Sequence, residues 1–321
     1  MGVPSTAPPA PEVWRRLWRE VAYGEPLPGY AAPTGEARLR TAVASYLGRS
    51  RRVWCGADDL VITTGAARAL DLLVQALLIP GDAAAIEEPG HPTARRILQL
   101  RGARLVPVPI DEDGFRVECL PVGGGAPPLV YGTPSHQYPI GVRLSIGRRL
   151  ALLEWAAAND ALVVDDDYDG EFRFGAPPLP ALAGLDRAGR VAYVGTFPKV
   201  LVPGLRAGYL LAPEPLRERV LGIKRLTDHH TPWAEQQALA GFCERGDLER
   251  HIRRARRYYA SNRAMPAVTL VDCFGGTPAR RGLLLGYGGL GAQDVRNGAG
   301  VVAEVVREET SAFVGATVSP G

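Results

Sequence analysis

Short apolar runs rich in valine, isoleucine and leucine recur along the chain, each separated from the next by a longer stretch with helical spacing. This alternation constrains the fold most, because strands joined by crossover helices pair in parallel and need cover on both faces. The expected strands are LVITT (60–64), AAAIEE (83–88), RLVPVPI (104–110), PLVYGT (128–133), ALVVDDD (161–167), VAYVGTF (191–197) and AGYLLA (207–212). Helical spacing is read in AARALDLLVQALL, PTARRILQL and LSIGRRLALLEWAAA, and beyond Pro213 in LRERVLGIKRL, EQQALAGFCERG and LERHIRRARRYYASNRA. Periodicity is lost between Met265 and Arg281, and a strand LLLGY and a helix AQDVRNGAGVVAEVV follow. The fold class expected is α/β: a mostly parallel seven-stranded sheet flanked by helices, with a small α+β C-terminal domain. The division expected is an N-terminal arm over 1–30, a large domain over 31–240 and a small domain over 241–321.

A net charge of +3 over 321 residues gives no reason to expect nucleic acid or a membrane surface as partner. Cys55, Cys119, Cys243 and Cys273 form no CxxC and no close pairing with His229, His230 or His251, so no zinc site is expected. The first residues, MGVPSTAPPAPEVW, lack the basic segment and apolar run of a signal peptide, and no later run is long enough to span a bilayer. A soluble, cytoplasmic protein with reduced thiols is the expectation. The arginine clusters RRARR (253–257) and RRVW (from Arg51) are expected on solvated faces.

The chain writes nearly every cation as arginine: it has 35 arginines and two lysines, Lys199 and Lys224. Arginine stays protonated, whereas a lysine made neutral by burial or neighbouring charge can attack a carbonyl. Lys199 follows the strand VAYVGTF, and Lys224 lies in a helical stretch among charges expected to face solvent. Lys199 is therefore the candidate nucleophile. In VVDDDYDGEFRF three carboxylates end a strand and precede Tyr168. Alone they would read as a solvated loop. Together with a reactive lysine they suit a pyridinium cofactor, which takes a carboxylate beside its ring nitrogen and a lysine on its aldehyde carbon.

Six segments in order, GYAAPTGEARLR, VITTGAARALDLL, EEPGHPTAR, TPSHQYPIGVRLS, DDDYDGEFRF and VGTFPKVLVPGLRAGYL, resemble the fold type I pyridoxal phosphate enzymes of aminotransferase class I/II. The resemblance is closest to the aminotransferase-like domain of the MocR group within the GntR regulators, and it covers Val13 to Ala264. It implies pyridoxal 5'-phosphate as cofactor, with Lys199 forming the Schiff base, Asp166 pairing with the pyridine nitrogen and Tyr168 donating to the phenolic oxygen. Gly65, Ala66 and Ala67 would cradle the phosphate where a strand turns into a helix. Arg206 would clamp that phosphate, and Thr196 ends the strand before the lysine. His91 falls where the family places a ring stacked on the cofactor. Gln137, preferred to His136, would reach the phenolic oxygen, and Tyr30 the phosphate of a partner subunit in a homodimer.

Three departures from the family accompany this. Pro198 replaces the usual serine beside the lysine, removing a hydroxyl and an amide that could bond phosphate. Leu284 stands where amino-acid aminotransferases carry a carboxylate-binding arginine, with Arg280 and Arg281 out of register. The stretch from Ala260 to Leu290 also jumps from the helix entering the small domain to its last strand, so a shortened small domain is expected.

Three functions compete at this point. An aminotransferase acting on an amine or amino acid and a keto acid comes first, because lysine, aspartate and tyrosine are all present. The second is a PLP-sensing, effector-binding domain of a MocR-type regulator; few residues precede the matched region, so direct nucleic-acid binding is not expected. The third is a degenerate remnant with little turnover.

Overall fold

The computed structural model describes residues 11–171, 179–197, 201, 203–261, 267–269, 273–275 and 283–285. Helices α1 (Pro11–Tyr23) and α2 (Ala37–Arg51) precede strand β1 (Leu60–Thr63), helix α3 (Ala66–Leu77), β2 (Ala83–Glu88), α4 (Pro92–Leu100), β3 (Arg104–Asp111) and β4 (Gly114–Phe115). There follow β5 (Leu129–Gly132), α5 (Ile146–Ala158), β6 (Leu162–Asp167), β7 (Val191–Thr196), β8 (Gly208–Leu211), α6 (Glu214–Thr227), α7 (Trp233–Glu244) and α8 (Asp247–Ser261). Two short strands, β9 (Ala267–Thr269) and β10 (Leu283–Leu285), pair antiparallel apart from the main sheet, with Leu284 opposite Val268.

The main sheet has the order β1-β8-β7-β6-β5-β2-β3-β4. Its centre is parallel, from β3 through β2, β5 and β6 to β7. All seven expected strands lie in it. The two-residue β4, too short to carry an apolar pattern, adds an antiparallel edge to β3. Strand β8 runs against both β1 and β7. Its start therefore reaches the same sheet edge at which β1, β6 and β7 end. That edge is where open α/β sheets receive their ligands.

Strands β1, β5 and β6 are buried at every residue, which is why β1, β5 and the first half of β6 read as apolar runs. On one face α3, α4 and α6 set Leu70, Leu73, Leu98 and Val220 against Ile86, Tyr131, Val164 and Leu210. On the other, α2 and α7 bring Leu39, Leu47, Leu239 and Phe242 against Leu60, Ile62, Tyr193 and Tyr209. Helix α5 covers the rest of that face with Leu152 and Trp155. Each such leucine contributes about 1.5–3 kcal/mol by leaving water. Helix α1 joins this core through Leu17, and Trp14 meets Phe242 edge to face at 6.0 Å.

Two charge expectations are corrected. Arg253, Arg254, Arg256 and Arg257 are exposed as expected, but Arg51 is only 3% exposed, because it points inward from the end of α2 onto Asp167. Lys224 is fully buried and not solvent-facing: its ammonium lies 3.1 Å from Asp228 Oδ2, one helical turn on, and 3.4 Å from Thr231 Oγ1. Among the described residues, no helix is long and apolar enough to cross a membrane, and no group of three or more His, Cys, Asp or Glu could hold a metal ion. Pro198, Lys199, Arg280, Arg281 and the helix expected over 292–306 lie outside the described residues.

Candidate active site

Strand β1 passes into α3 through Gly65, whose φ of 123° and ψ of 173° only glycine adopts without strain. Thr63 Oγ1 donates to the Gly65 carbonyl at 3.1 Å, and that carbonyl also accepts from the amides of Arg68 and Ala69. The amides of Ala66 and Ala67 open the helix and have no carbonyl one turn earlier to bond. A Cβ at Gly65 would lie 3.5 Å from an Arg206 guanidinium nitrogen. Arg206, exposed and at φ 46°, thus lays its guanidinium beside the helix start, where both dipole and charge favour an anion. Thr196, half-buried, ends β7 opposite Gly208 of β8.

Alternation along β6 separates its three carboxylates. Asp165 accepts from the Leu182 amide at 2.9 Å, and Asp167 accepts from Tyr193 Oη and pairs with Arg51. Asp166 shares the opposite face with Leu162 and Val164, and it accepts from Tyr131 Oη at 2.6 Å. Burial and then the repulsion of Asp167 raise the Asp165 carboxyl to about 6. Burial, followed by Asp166, holds the Tyr131 phenol well above its ordinary pKa, so Tyr131 remains a donor.

Tyr168 leaves the end of β6 half-buried, its pKa raised by burial and by Asp169 and Asp166, so it too keeps its proton. Its hydroxyl lies 3.4 Å from His136 Nδ1, which also faces Asp169 Oδ2 at 2.6 Å. His91, the residue before α4, sets its ring 4.8 Å from that of Tyr138 and 6.4 Å from that of Tyr168. The loops that follow β2, β5 and β6 thus bring His91, His136, Tyr138 and Tyr168 together.

Gln137 is bonded within the protein. It is buried, its amide nitrogen donates to the Pro89 carbonyl at 2.8 Å and the Tyr138 carbonyl at 2.6 Å, and its oxygen accepts from the Ile140 amide at 3.1 Å. Its amide group is therefore occupied in joining the loops after β2 and β5. Tyr30 is 84% exposed and stacks on His229 at 5.2 Å.

Sequence reasoning missed Glu87. This carboxylate, 2% exposed at the end of β2, accepts from the Thr133 amide at 3.0 Å, from Thr133 Oγ1 at 2.7 Å and from Gln137 at 3.3 Å. Burial raises it to about 7 against those bonds, with Asp166 adding to the rise. The available signal was its place in AAAIEE, two residues beyond a buried alanine on the same strand face.

The arrangement suits pyridoxal phosphate in two respects. The cradle at Gly65 would be filled by any side chain, and Asp166 is the one of three carboxylates on the face that Tyr131 shares.

Residues 3–276 match the family described as aminotransferase class I and II. The chain is 41% identical over 249 residues to the probable rhizopine catabolism regulatory protein MocR of Rhizobium meliloti, which takes in 77% of this chain and 50% of that protein. It is 40% identical over 245 residues to the uncharacterized HTH-type transcriptional regulator YdeL of Bacillus subtilis, covering 76% of this chain and 52% of that one. The chain spans about half the length of these curated relatives. Among solved structures, the kynurenine aminotransferase of Pyrococcus horikoshii, in complex with PMP and KYN as substrates and KYA as products, matches with a TM-score of 0.87 at 26% identity. That match covers 96% of this chain and 90% of the other.

Proposed function

Because the chain belongs to the class I and II aminotransferase family, we propose that it binds pyridoxal 5'-phosphate and moves an amino group between an amino acid or amine and a keto acid, with Lys199 as the amine bonded to the cofactor. The observation that carries this reading is the meeting, at one sheet edge, of an anion-holding helix start with a buried carboxylate and a protonated phenol. The match to a kynurenine aminotransferase solved with PMP supports the same cofactor.

Gly65, Ala66, Ala67 and Arg206 would hold the phosphate, through amides, helix dipole and guanidinium. When bound, the cofactor supplies an electron-withdrawing ring that stabilises negative charge at the substrate's α carbon. Asp166 keeps a proton at the ring nitrogen, and Tyr131 fixes the carboxylate that does so. Tyr168 donates to the phenolic oxygen. His136 takes the place beside it that Gln137 was expected to fill, because Gln137 is bonded within the protein. His91 would offer a ring face to the cofactor, Thr196 would line its phosphate end, and Lys199 would hold the cofactor and carry the substrate's proton. Tyr30, exposed on His229, reaches across a homodimer interface to the partner's phosphate. With Leu284 in the arginine's place and a shortened C-terminal domain, a substrate carboxylate is held loosely.

The test is spectroscopic. Purified protein supplied with pyridoxal phosphate should show a visible absorption band that an amino acid bleaches and a keto acid restores. Absence of the band would sink the reading. The relatives named as regulators favour a second reading, a ligand-sensing domain. A band that no member of an amino acid panel bleaches would support that reading over turnover.

A further inference from the structure

The two loops that carry Tyr168 and His136 are joined beneath the site by one guanidinium. Arg51, at the end of α2, pairs with Asp167 of β6, donates to the Gly170 carbonyl at 3.1 Å and donates to Ser135 Oγ at 2.9 Å. Asp167 and Gly170 flank Tyr168 and Asp169, and Ser135 directly precedes His136. Two backbone segments, besides the end of α2 itself, thus meet at one side chain. Gly170 lies so close that a Cβ there would be 2.2 Å from Asp167 Oδ1 and 2.6 Å from Arg51 Nη2. A larger residue is excluded by the ion pair itself.

The surroundings are polar and closed. Tyr193 donates to Asp167, Tyr46 donates to Glu171 at 2.8 Å, and Arg149 donates to the Pro134 carbonyl at 2.6 Å, all inside the protein. A carboxylate and a guanidinium buried together are costly unless further hydrogen bonds complete them, and such pairs are better attested in specifying a geometry than in adding stability. An apolar residue at 51 would fill the space without fixing the two loops to each other.

We propose that Arg51 is a positioning residue for the reaction: it sets Tyr168 against His136 by tying the loop after β6 to the loop after β5. This rests on the aminotransferase reading, since the two loops hold the groups assigned to the cofactor's phenolic oxygen. Arg51 touches neither cofactor nor substrate. Its effect is transmitted through Asp167, Gly170 and Ser135.

The test uses the whole protein with Arg51→Lys, Ser135→Ala, their double variant, and Arg40→Lys as control. Arg40 is another buried arginine, and its guanidinium bonds run to Asp58 and to the Gly35 and Ala57 carbonyls, away from both loops. In cofactor-free protein, Arg51→Lys should speed amide exchange in peptides over 134–141 and 167–171 together, whereas Arg40→Lys should not. In cofactor-loaded protein, Arg51→Lys should lower the visible circular dichroism per unit absorbance. It should also slow amino acid bleaching by up to about a hundredfold, the scale that a misplacement of about 1 Å costs. Ser135→Ala should give a smaller loss and add nothing to Arg51→Lys, because both remove the same tie. Additive losses, exchange confined to one loop, or equal effects from Arg40→Lys would overturn the proposal. If the wild type holds no cofactor, the functional reading fails, and the exchange comparison alone still decides whether Arg51 couples the loops.

Discussion

Replacing Glu87 by glutamine should reverse part of the protein's pH dependence of stability. The carboxyl is enclosed at the end of β2, and burial raises it from its ordinary 4.5 to about 7 despite donors from Thr133 and Gln137. A carboxyl raised in the folded state binds its proton more tightly there than in the unfolded chain. Its contribution is therefore fully present below pH 4.5 and is lost as pH rises through about 7. At about 1.4 kcal/mol per pH unit, that loss is about 3 kcal/mol. Asp165, raised to about 6, and Glu171, raised to about 7, both first by burial and then by Asp167, act in the same direction. Glutamine has the shape of the protonated acid and no charge to bury. Urea unfolding at pH 5, 6, 7 and 8 should show the wild type losing stability steadily, and Glu87→Gln losing about 3 kcal/mol less across the same range. The difference between the two proteins isolates Glu87 from the other carboxyls. A difference that stays constant with pH, or one that grows in favour of the wild type, would refute the assignment of a raised Glu87.

Four further substitutions test other parts of the account. Asp166→Asn should leave cofactor bound but slow amino acid bleaching by about a hundredfold or more, as loss of a charge-stabilising group does elsewhere, whereas Asp165→Asn, on the other face of β6, should bleach at nearly the wild-type rate. Gly65→Ala forces a side chain into a conformation costing about 1–3 kcal/mol and against Arg206; equilibrium dialysis should show weakened cofactor binding, and unchanged affinity would remove the cradle from the site. Lys224→Met should cost about 3 kcal/mol, because Asp228 loses its buried ammonium and is left with Arg68 at 3.4 Å. Thermal unfolding measures that loss, and cofactor labelling at Lys199 should survive it.

The sheet was legible because its central strands are covered on both faces and so carry short apolar runs; all seven runs became strands. The cluster of residues at the strand ends was legible for a related reason: Gly65, His91, Asp166 and Tyr168 each follow or end such a run. Helices α1 and α2 escaped notice. In α2 the apolar residues Leu39, Val43, Tyr46 and Leu47 are mixed with Arg40 and Arg51, which also turn inward. Charge patterning treats an arginine as solvated, and nothing local to Arg51 reveals that its carboxylate, Asp167, lies far along the chain. Lys224 misled for the same reason, although its acid partner Asp228 was one helical turn away. Gln137 and His136 are adjacent in sequence, and only the turn of the loop decides which of them faces Tyr168 and which faces the Pro89 carbonyl.

The central claim is that one of the two lysines bonds a pyridoxal cofactor. Reduction of the cofactor-loaded protein with borohydride, followed by peptide mapping, tests it most directly, because the cofactor is fixed to whichever amine holds it. The account predicts a single modified peptide, the one containing Lys199, with Lys224 unmodified inside its pair with Asp228. A label on Lys224, or no label on a protein that is folded and supplied with cofactor, would contradict it.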